Sequence, residues 1–411
     1  MKVAVVGGGL SGLATALELV DAGHEVTLFE ARPTLGGAVQ TLPERDGDPP
    51  PPPDNGQHIA LGCFTEYLAF LDRIGEGGAY RRRRLELPVV GEDASVAAIS
   101  RSPFSILRYR HLPLRERIHV ARTLLALRRA GGDDAESFGE LLRRLGASEL
   151  QVDRFWDVFI RPALNLPTDE ASAAMGVFTV RTALLGKADA ADVILPARPL
   201  GAMHGDAAGK ALERKGATVR TGHRVESLDE LDADAIVVAL PPAESARLLG
   251  ESEPALEPSP IVSVHLLFDR PILGSPLAAL LGSPAHWIFD RGELTGHAPP
   301  DGGQYLTVVS SGVPDLLEIR GRGVVDLMAG ELTGRLGHAE LVWSRVSREP
   351  YATVALRPGT RQERRGTETD RPNVVRAGAW TDTGWPATME GAVRSGLAAA
   401  RRLIAMQAGH S

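Results

Sequence analysis

The first apolar run, Val3 to Val6, is β-branched apart from Ala4 and breaks into glycines, the pattern of a buried parallel strand that ends in a tight turn. From Leu10 to Ala22 the apolar positions Leu10, Leu13, Ala14, Leu17 and Val20 recur at three- and four-residue steps, which predicts a helix that starts at the glycines and is stopped by Gly23. Glu25 to Phe29 follows as a second strand, ending at Glu30. Helical periodicity returns over 114–125, 138–159, 171–185, 204–215, 324–336 and 393–404. Alternating or continuous apolar runs at 218–227, 235–240, 261–268, 286–289, 305–310 and 373–376 predict strands. The strands near 220 and 237 bring the chain back to its first unit after a long excursion, and those from 261 to 310 predict an antiparallel sheet in a second unit. Pro49 to Pro53 can be neither helix nor central strand, so it reads as an exposed extended spacer.

Composition changes this picture little. A chain of 411 residues with 43% hydrophobic and 24% charged content is ordinary globular material, long enough for two domains with their own cores. A net charge of −7 gives no reason to expect nucleic acid as a partner. The single cysteine, Cys63, excludes an internal disulfide framework and reads as a buried apolar residue. The first strand starts at Lys2 with no charged-then-apolar leader, and no apolar stretch has the length of a bilayer span. A cytoplasmic enzyme, free or resting on a membrane surface, fits these limits, and no metal is expected.

The chemistry concentrates at the first turn. Gly7, Gly9 and Gly12 stand at G-x-G-x-x-G spacing between a strand and a helix. In that setting the first glycine makes the turn, the second lets backbone approach a pyrophosphate, and the third packs helix against strand. The helix N-terminus, at Leu10 and Ser11, offers N–H groups and a positive dipole end to phosphate. Glu30 lies where a carboxylate accepts hydrogen bonds from a ribose with free hydroxyls.

After Glu30 comes Ala31 to Gly37, ARPTLGG, and the glycine pair Gly36-Gly37 so soon after the acid resembles FAD oxidoreductases of the amine oxidase and phytoene desaturase type. The likeness sharpens at Asp54 to Ile59, DNGQHI, with LGCFTEYLAFLDRIG after it. It resumes at RPALNLPTDEAS (161–172), at Leu195-Pro196, at HWIFDRGEL (286–294) and at the block from Gly378 to Ala392, GAWTDTGWPATMEGA. These blocks are similar to the hydroxysqualene dehydroxylases, a branch of that superfamily.

The resemblance implies an α/β fold with a Rossmann-like FAD-binding domain from residues 1–95, 196–255 and 350–411. A second α+β substrate domain, an antiparallel sheet plus helices, is expected from 96–195 and 256–349. It implies that the backbone of Val225 touches the adenine. It also implies that Gly378, Ala379, Pro386, Ala387 and Thr388 face the ribityl chain and the flavin, where a helix N-terminus stabilises negative charge on the reduced ring. Two positions depart from the family: Ala379 stands where many relatives have an acid, and Ala38 where many have arginine, which predicts a weaker hold on FAD unless Asp382 replaces the missing acid. The implied reaction is reductive removal of the hydroxyl of hydroxysqualene, giving squalene for hopanoid and other triterpenoid synthesis. A carotenoid-type desaturase or amine oxidase, and a prenyl-binding protein of the same fold without catalysis, stand as alternatives.

For proton delivery, His58 is the first candidate because an imidazole titrates near neutrality, with Asp382 and Glu390 beside the flavin-facing block as weaker ones. Phe155, Trp156 and Phe159 are core residues or the lining of an apolar tunnel for the terpenoid. Between Arg101 and Arg129 the chain is strongly basic, and Leu114, Ile118, Ala121 and Leu125 form a stripe on one helix face, with Phe104, Ile106 and Leu107 upstream. That stripe either lies on anionic lipid, making peripheral membrane contact, or faces its own core.

Overall fold

The computed structural model describes residues 1–102 and 104–408. Strand β1 (Lys2–Val6), helix α1 (Leu10–Asp21) and strand β2 (Glu25–Glu30) form the opening βαβ unit, with Ala4 paired to Thr27 in parallel register. The five-stranded sheet built on it is parallel throughout, in the order Val374–Arg376, Ala235–Val238, β1, β2, Thr218–Thr221. It is covered by α1, by the helix Ala207–Arg214 and by the C-terminal helix Met389–Ala408, which share one apolar core with Leu13, Leu17, Leu212 and Leu403. Such a sheet is buried on both faces, which is why its strands read as continuous apolar runs rather than alternations.

The second sheet has seven strands in the order Leu341–Val354, Pro258–Phe268, Gln304–Ser311, Trp287–Asp290, Leu277–Leu280, Glu86–Val90, Val96–Ser100. All its pairings are antiparallel except that of Leu277–Leu280 with Glu86–Val90. Ala60–Leu61, Val193–Pro196 and Tyr80–Arg83 make a small third sheet.

Several expectations are corrected. The strand near 220 ends at Thr221, and Val225 follows it in a loop, buried among Phe29, Leu228 and Val238. Glu86–Val90, inside the stretch 1–95 given to the nucleotide domain, pairs in the seven-stranded sheet instead, and Leu341–Val354 carries that sheet beyond residue 350. That long strand has no apolar alternation to reveal it, because it is an edge strand carrying Arg345, Arg348, Glu349 and Pro350. The proline run is no free spacer: Pro49, Pro51 and Pro53 are buried, the Pro52 carbonyl accepts from Arg291 (2.6 Å), and Arg345 clamps Asp48 and the Pro43 carbonyl.

Phe155 and Trp156 pack with Tyr109 and Phe138 in the second core, so they fill it rather than line a tunnel; Phe159 lies at its margin. In the helix Leu114–Leu127 the buried positions are Val120, Thr123 and Leu127, whereas Leu114, Ile118 and Leu125 face outward. The stripe therefore does not face its own core.

Candidate cofactor-binding and active site

The turn after β1 fits a dinucleotide pyrophosphate. Gly7 has φ +110°, and a Cβ there would lie 2.3 Å from the Ala239 carbonyl oxygen; one on Gly12 would lie 1.9 Å from that of Gly7. Neither position admits a side chain without backbone movement. Gly9 differs: the nearest atom to a Cβ there is Gly37 Cα at 3.7 Å, so its outer face is open. Gly36 N–H donates to the Gly8 carbonyl (2.8 Å) and Gly9 bridges Gly36, which sets the two glycine loops side by side as the walls of a cradle. Helix α1 starts in this cradle with Gly9 as N-cap, no capping side chain and no acid in its first turn. The N–H groups of Leu10, Ser11 and Gly12 are thereby left for an anionic ligand.

Glu30 ends β2 at the cradle's edge. Its Oε2 accepts from Gly8 N–H (2.7 Å) and its Oε1 from Arg32 N–H (2.8 Å), which fixes the carboxylate while each oxygen keeps a lone pair for a ribose hydroxyl. Ala31 beside it is exposed, as is Ala38 after the glycine pair Gly36-Gly37. The Ala38 carbonyl accepts from Asn55 Nδ2 (2.8 Å), so this loop is held by Asn55. Among the described residues, the backbone N–H and carbonyl of Val225 have no hydrogen-bond partner, which suits the edge of an adenine.

The Gly378–Ala392 block is organised by a residue with no sequence signal. Arg364, 5% exposed, donates to the carbonyls of Ala379 (3.3 Å), Trp380 (3.0 Å), Thr381 (2.7 Å) and Trp385 (2.7 Å), so the turn is wound around one guanidinium. In the sequence it sits in a charged loop beside Arg361 and Arg365 and looks like either. Gly378 N–H donates to Ser395 Oγ (2.9 Å), which ties the start of the turn to the C-terminal helix. Thr388 Oγ1 accepts from Gly391 N–H (3.3 Å) and so caps that helix immediately after buried Pro386 and half-buried Ala387. Trp385 packs edge-on against Phe64 (6.0 Å) and Phe178 (5.0 Å), with the Arg394 guanidinium over its ring at 4.7 Å. Beside it opens a cleft of about 380 Å³ whose walls include Met175, Phe178, Arg181, Arg364, Asp382 and Gly384.

The three proton-donor candidates fare differently. Glu390 is fully buried and its carboxylate accepts from Glu66 N–H (3.2 Å), Tyr67 N–H (2.8 Å) and Arg394 Nε (2.8 Å). Through these bonds it caps the helix Thr65–Arg73, and burial raises its pKa while the three donors oppose the rise. Asp382 is exposed on the cleft wall, and its Oδ1 accepts from Gly384 N–H (3.1 Å) in its own turn. His58 is half-buried, and its ring makes no hydrogen bond among the described residues. Burial lowers its pKa while the Asp54 carboxylate opposes this, which keeps the imidazole neutral at pH 7 rather than titrating there. Cys63, half-buried, has its thiol pushed up to about 11 by burial, so it is inert.

Behind His58 lies a hub that the sequence did not reveal. Asp54 forms a fully buried ion pair with Arg291 (2.6 Å) and accepts from Thr41 Oγ1 (2.7 Å) and Leu200 N–H (2.9 Å), while its carbonyl meets His265 Nε2 (2.9 Å). It joins the proline loop, the seven-stranded sheet and the segment that leads back to the parallel sheet.

Comparison with known proteins agrees with this architecture. The chain matches the flavin containing amine oxidoreductase family over residues 10–404. It is 30% identical to a hydroxysqualene dehydroxylase of Sinorhizobium fredii over 97% of both chains, and 29% identical to that of Rhodopseudomonas palustris over 98% of both. A zeta-carotene desaturase of Synechocystis sp. is 25% identical over 99% of this chain and 98% of its own. Among solved structures, a cyclohexylamine oxidase of Brevibacterium oxydans superposes with a TM-score of 0.73 at 18% identity over 99% of both chains, a likeness of fold. Together with the glycine cradle, the fixed Glu30 carboxylate and the capped C-terminal helix, these matches place the chain in the flavin-containing amine oxidoreductase family, as an FAD-dependent oxidoreductase with hydroxysqualene dehydroxylases among its relatives.

Proposed function

We propose that this enzyme removes the hydroxyl of hydroxysqualene reductively and releases squalene. The observation that carries the reading is the match to two hydroxysqualene dehydroxylases along nearly the whole chain, at 30% and 29% identity against 25% for the zeta-carotene desaturase. When bound, reduced FAD supplies a hydride to the carbon that loses hydroxide, and one proton converts that hydroxide to water.

The chain's own groups hold the parts in place. Gly9, Leu10, Ser11 and Gly12, with Gly36 and Gly37 opposite, take the pyrophosphate; Glu30 takes the adenosine ribose, and the backbone of Val225 the adenine. Gly378, Ala379 and Pro386 to Thr388 present the start of the C-terminal helix to the flavin. Met175, Val177, Phe178 and Leu356 give the adjoining cleft an apolar wall for the terpenoid, with Trp385 packed behind Phe178. His58, neutral and with no hydrogen bond to its ring among the described residues, is the side chain we assign to hydrogen-bond the departing hydroxyl, the proton being drawn ultimately from solvent. The match to zeta-carotene desaturase along the full chain favours a second reading, oxidative desaturation of a polyene.

Electron flow separates the two. Anaerobically reduced enzyme mixed with hydroxysqualene recovers the oxidised-flavin absorbance in one turnover and releases squalene, and squalene leaves oxidised enzyme unchanged. If hydroxysqualene has no effect and a polyene bleaches the oxidised enzyme, the desaturase reading replaces the first.

A further inference from the structure

Five of the nine large apolar side chains exposed among the described residues fall within one short stretch: Phe104, Leu107, Leu114, Ile118 and Leu125, each 41% to 63% exposed. Leu114, Ile118 and Leu125 lie within an arc of about 40° on their helix at the usual 100° per residue. The arc lies opposite buried Val120, Thr123 and Leu127, so the helix has two apolar faces and only one is covered.

Charge surrounds the uncovered one. Arg101, Arg108, Arg110, Arg115, Arg122 and Arg128 are all exposed, and among the described residues none of them makes an ion pair, although arginines elsewhere in the chain are widely paired. Arg117 is the exception in the stretch, with its guanidinium folded onto the Leu112 and Leu107 carbonyls. A basic, apolar, outward face on a chain whose net charge is −7 is complementary to an anionic lipid surface.

Its position adds to this. Arg181, on the wall of the cleft beside Trp385, donates to the Leu127 carbonyl (2.8 Å) and to that of Ala130, which fixes the end of the helix to the cleft rim.

We propose that the face formed by Phe104, Leu107, Leu114, Ile118 and Leu125 docks on an anionic phospholipid bilayer, with the flanking arginines on the headgroups and the cleft beside Trp385 held near the membrane surface. The inference goes beyond the proposed reaction and does not depend on it, because vesicle binding is read without turnover.

The test is sedimentation of the FAD-loaded enzyme with phosphatidylcholine vesicles, with and without phosphatidylglycerol. The expected result is binding to the acidic vesicles only, reversed by added salt. Arg108→Glu, Arg115→Glu and Arg122→Glu together lower partitioning by roughly a hundredfold. Leu114→Glu, Ile118→Glu and Leu125→Glu together also abolish it, with flavin content and melting temperature kept because these side chains are exposed. Should that triple variant lose flavin, Leu125→Gln alone gives the same direction more weakly. Equal binding to both vesicle types, or variants that sediment like the parent, overturns the proposal. So does sedimentation velocity that shows a dimer of the parent dispersed by Leu125→Gln, since the face then belongs to a second copy of the chain.

Discussion

At the scale of single residues, Glu30 and Arg364 each organise a backbone turn, by different routes. Glu30 accepts two backbone N–H groups and stands at the end of the second strand of a βαβ unit, a position legible from spacing alone; the ribose contact proposed for it is open to test. Hydrogen bonds to a charged acceptor contribute on the order of 1.5 to 3 kcal/mol, so Glu30→Ala weakens FAD binding by roughly ten- to a hundredfold, measured by flavin titration of the apoprotein. Arg364 touches backbone carbonyls of the turn that precedes the C-terminal helix. Arg364→Met leaves those carbonyls without their buried donor and costs about 3 kcal/mol in chemical denaturation, with flavin lost alongside. Arg364→Lys restores only part of this, because an ammonium lacks the planar fork that reaches several carbonyls at once. For Glu390, residue type suggested proton transfer, while burial and three donors, invisible in sequence, engage its carboxylate in capping the helix Thr65–Arg73; for His58, burial, equally invisible, lowers the pKa of the imidazole.

At the scale of elements, the first strand, its helix and the C-terminal helix were readable because each carries a strong period and a glycine boundary. Their mutual contact was not. A Cβ on Gly396 would lie 2.1 Å from the Ser11 carbonyl oxygen, and Thr15 Oγ1 donates to the Gly396 carbonyl (3.0 Å), so α1 and the C-terminal helix meet backbone to backbone. Gly396→Ala forces them apart, which costs about 1 to 3 kcal/mol in urea unfolding and shifts the N–H groups of Leu10 and Ser11 to which the pyrophosphate is proposed to bind. Flavin affinity therefore falls together with stability. The helix Leu114–Leu127 gives a paired test of its two faces: Val120→Asp places a charge in the core and unfolds the region, while Ile118→Asp changes stability by less than about 0.5 kcal/mol, both read by thermal melting. The 3.6-residue period cannot tell which of two apolar faces finds a partner.

At the scale of the whole molecule, buried histidines couple stability to pH. His204, held by Tyr67 and the Leu200 carbonyl, has its pKa lowered to about 4, and His265, at the Asp54 hub, to about 3, both chiefly through burial. The unfolded chain takes up these protons below its ordinary value of about 6.5 while the folded chain does not, so stability is full above that value and falls as pH drops toward 4. Each histidine adds a slope of about 1.4 kcal/mol per pH unit, and His265→Gln removes one such increment from denaturation curves taken from neutrality down to about pH 5.

What the sequence determined by itself was the opening βαβ turn, because it depends on short-range features: a strand, glycines at fixed spacing, a helix N-terminus and an acid one strand away. Val225 belongs here only in part, since the sequence located it near the parallel sheet but drew its strand too long. Tertiary structure alone decided how groups distant in the chain meet: the proline loop locked by Arg291 and Arg345, the edge strand Leu341–Val354 without an apolar alternation, the turn wound on Arg364, and the outward face of the basic helix. In each case the side chain's role depends on partners brought from far along the chain, and burial by those partners, not residue type or local period, fixes what it does.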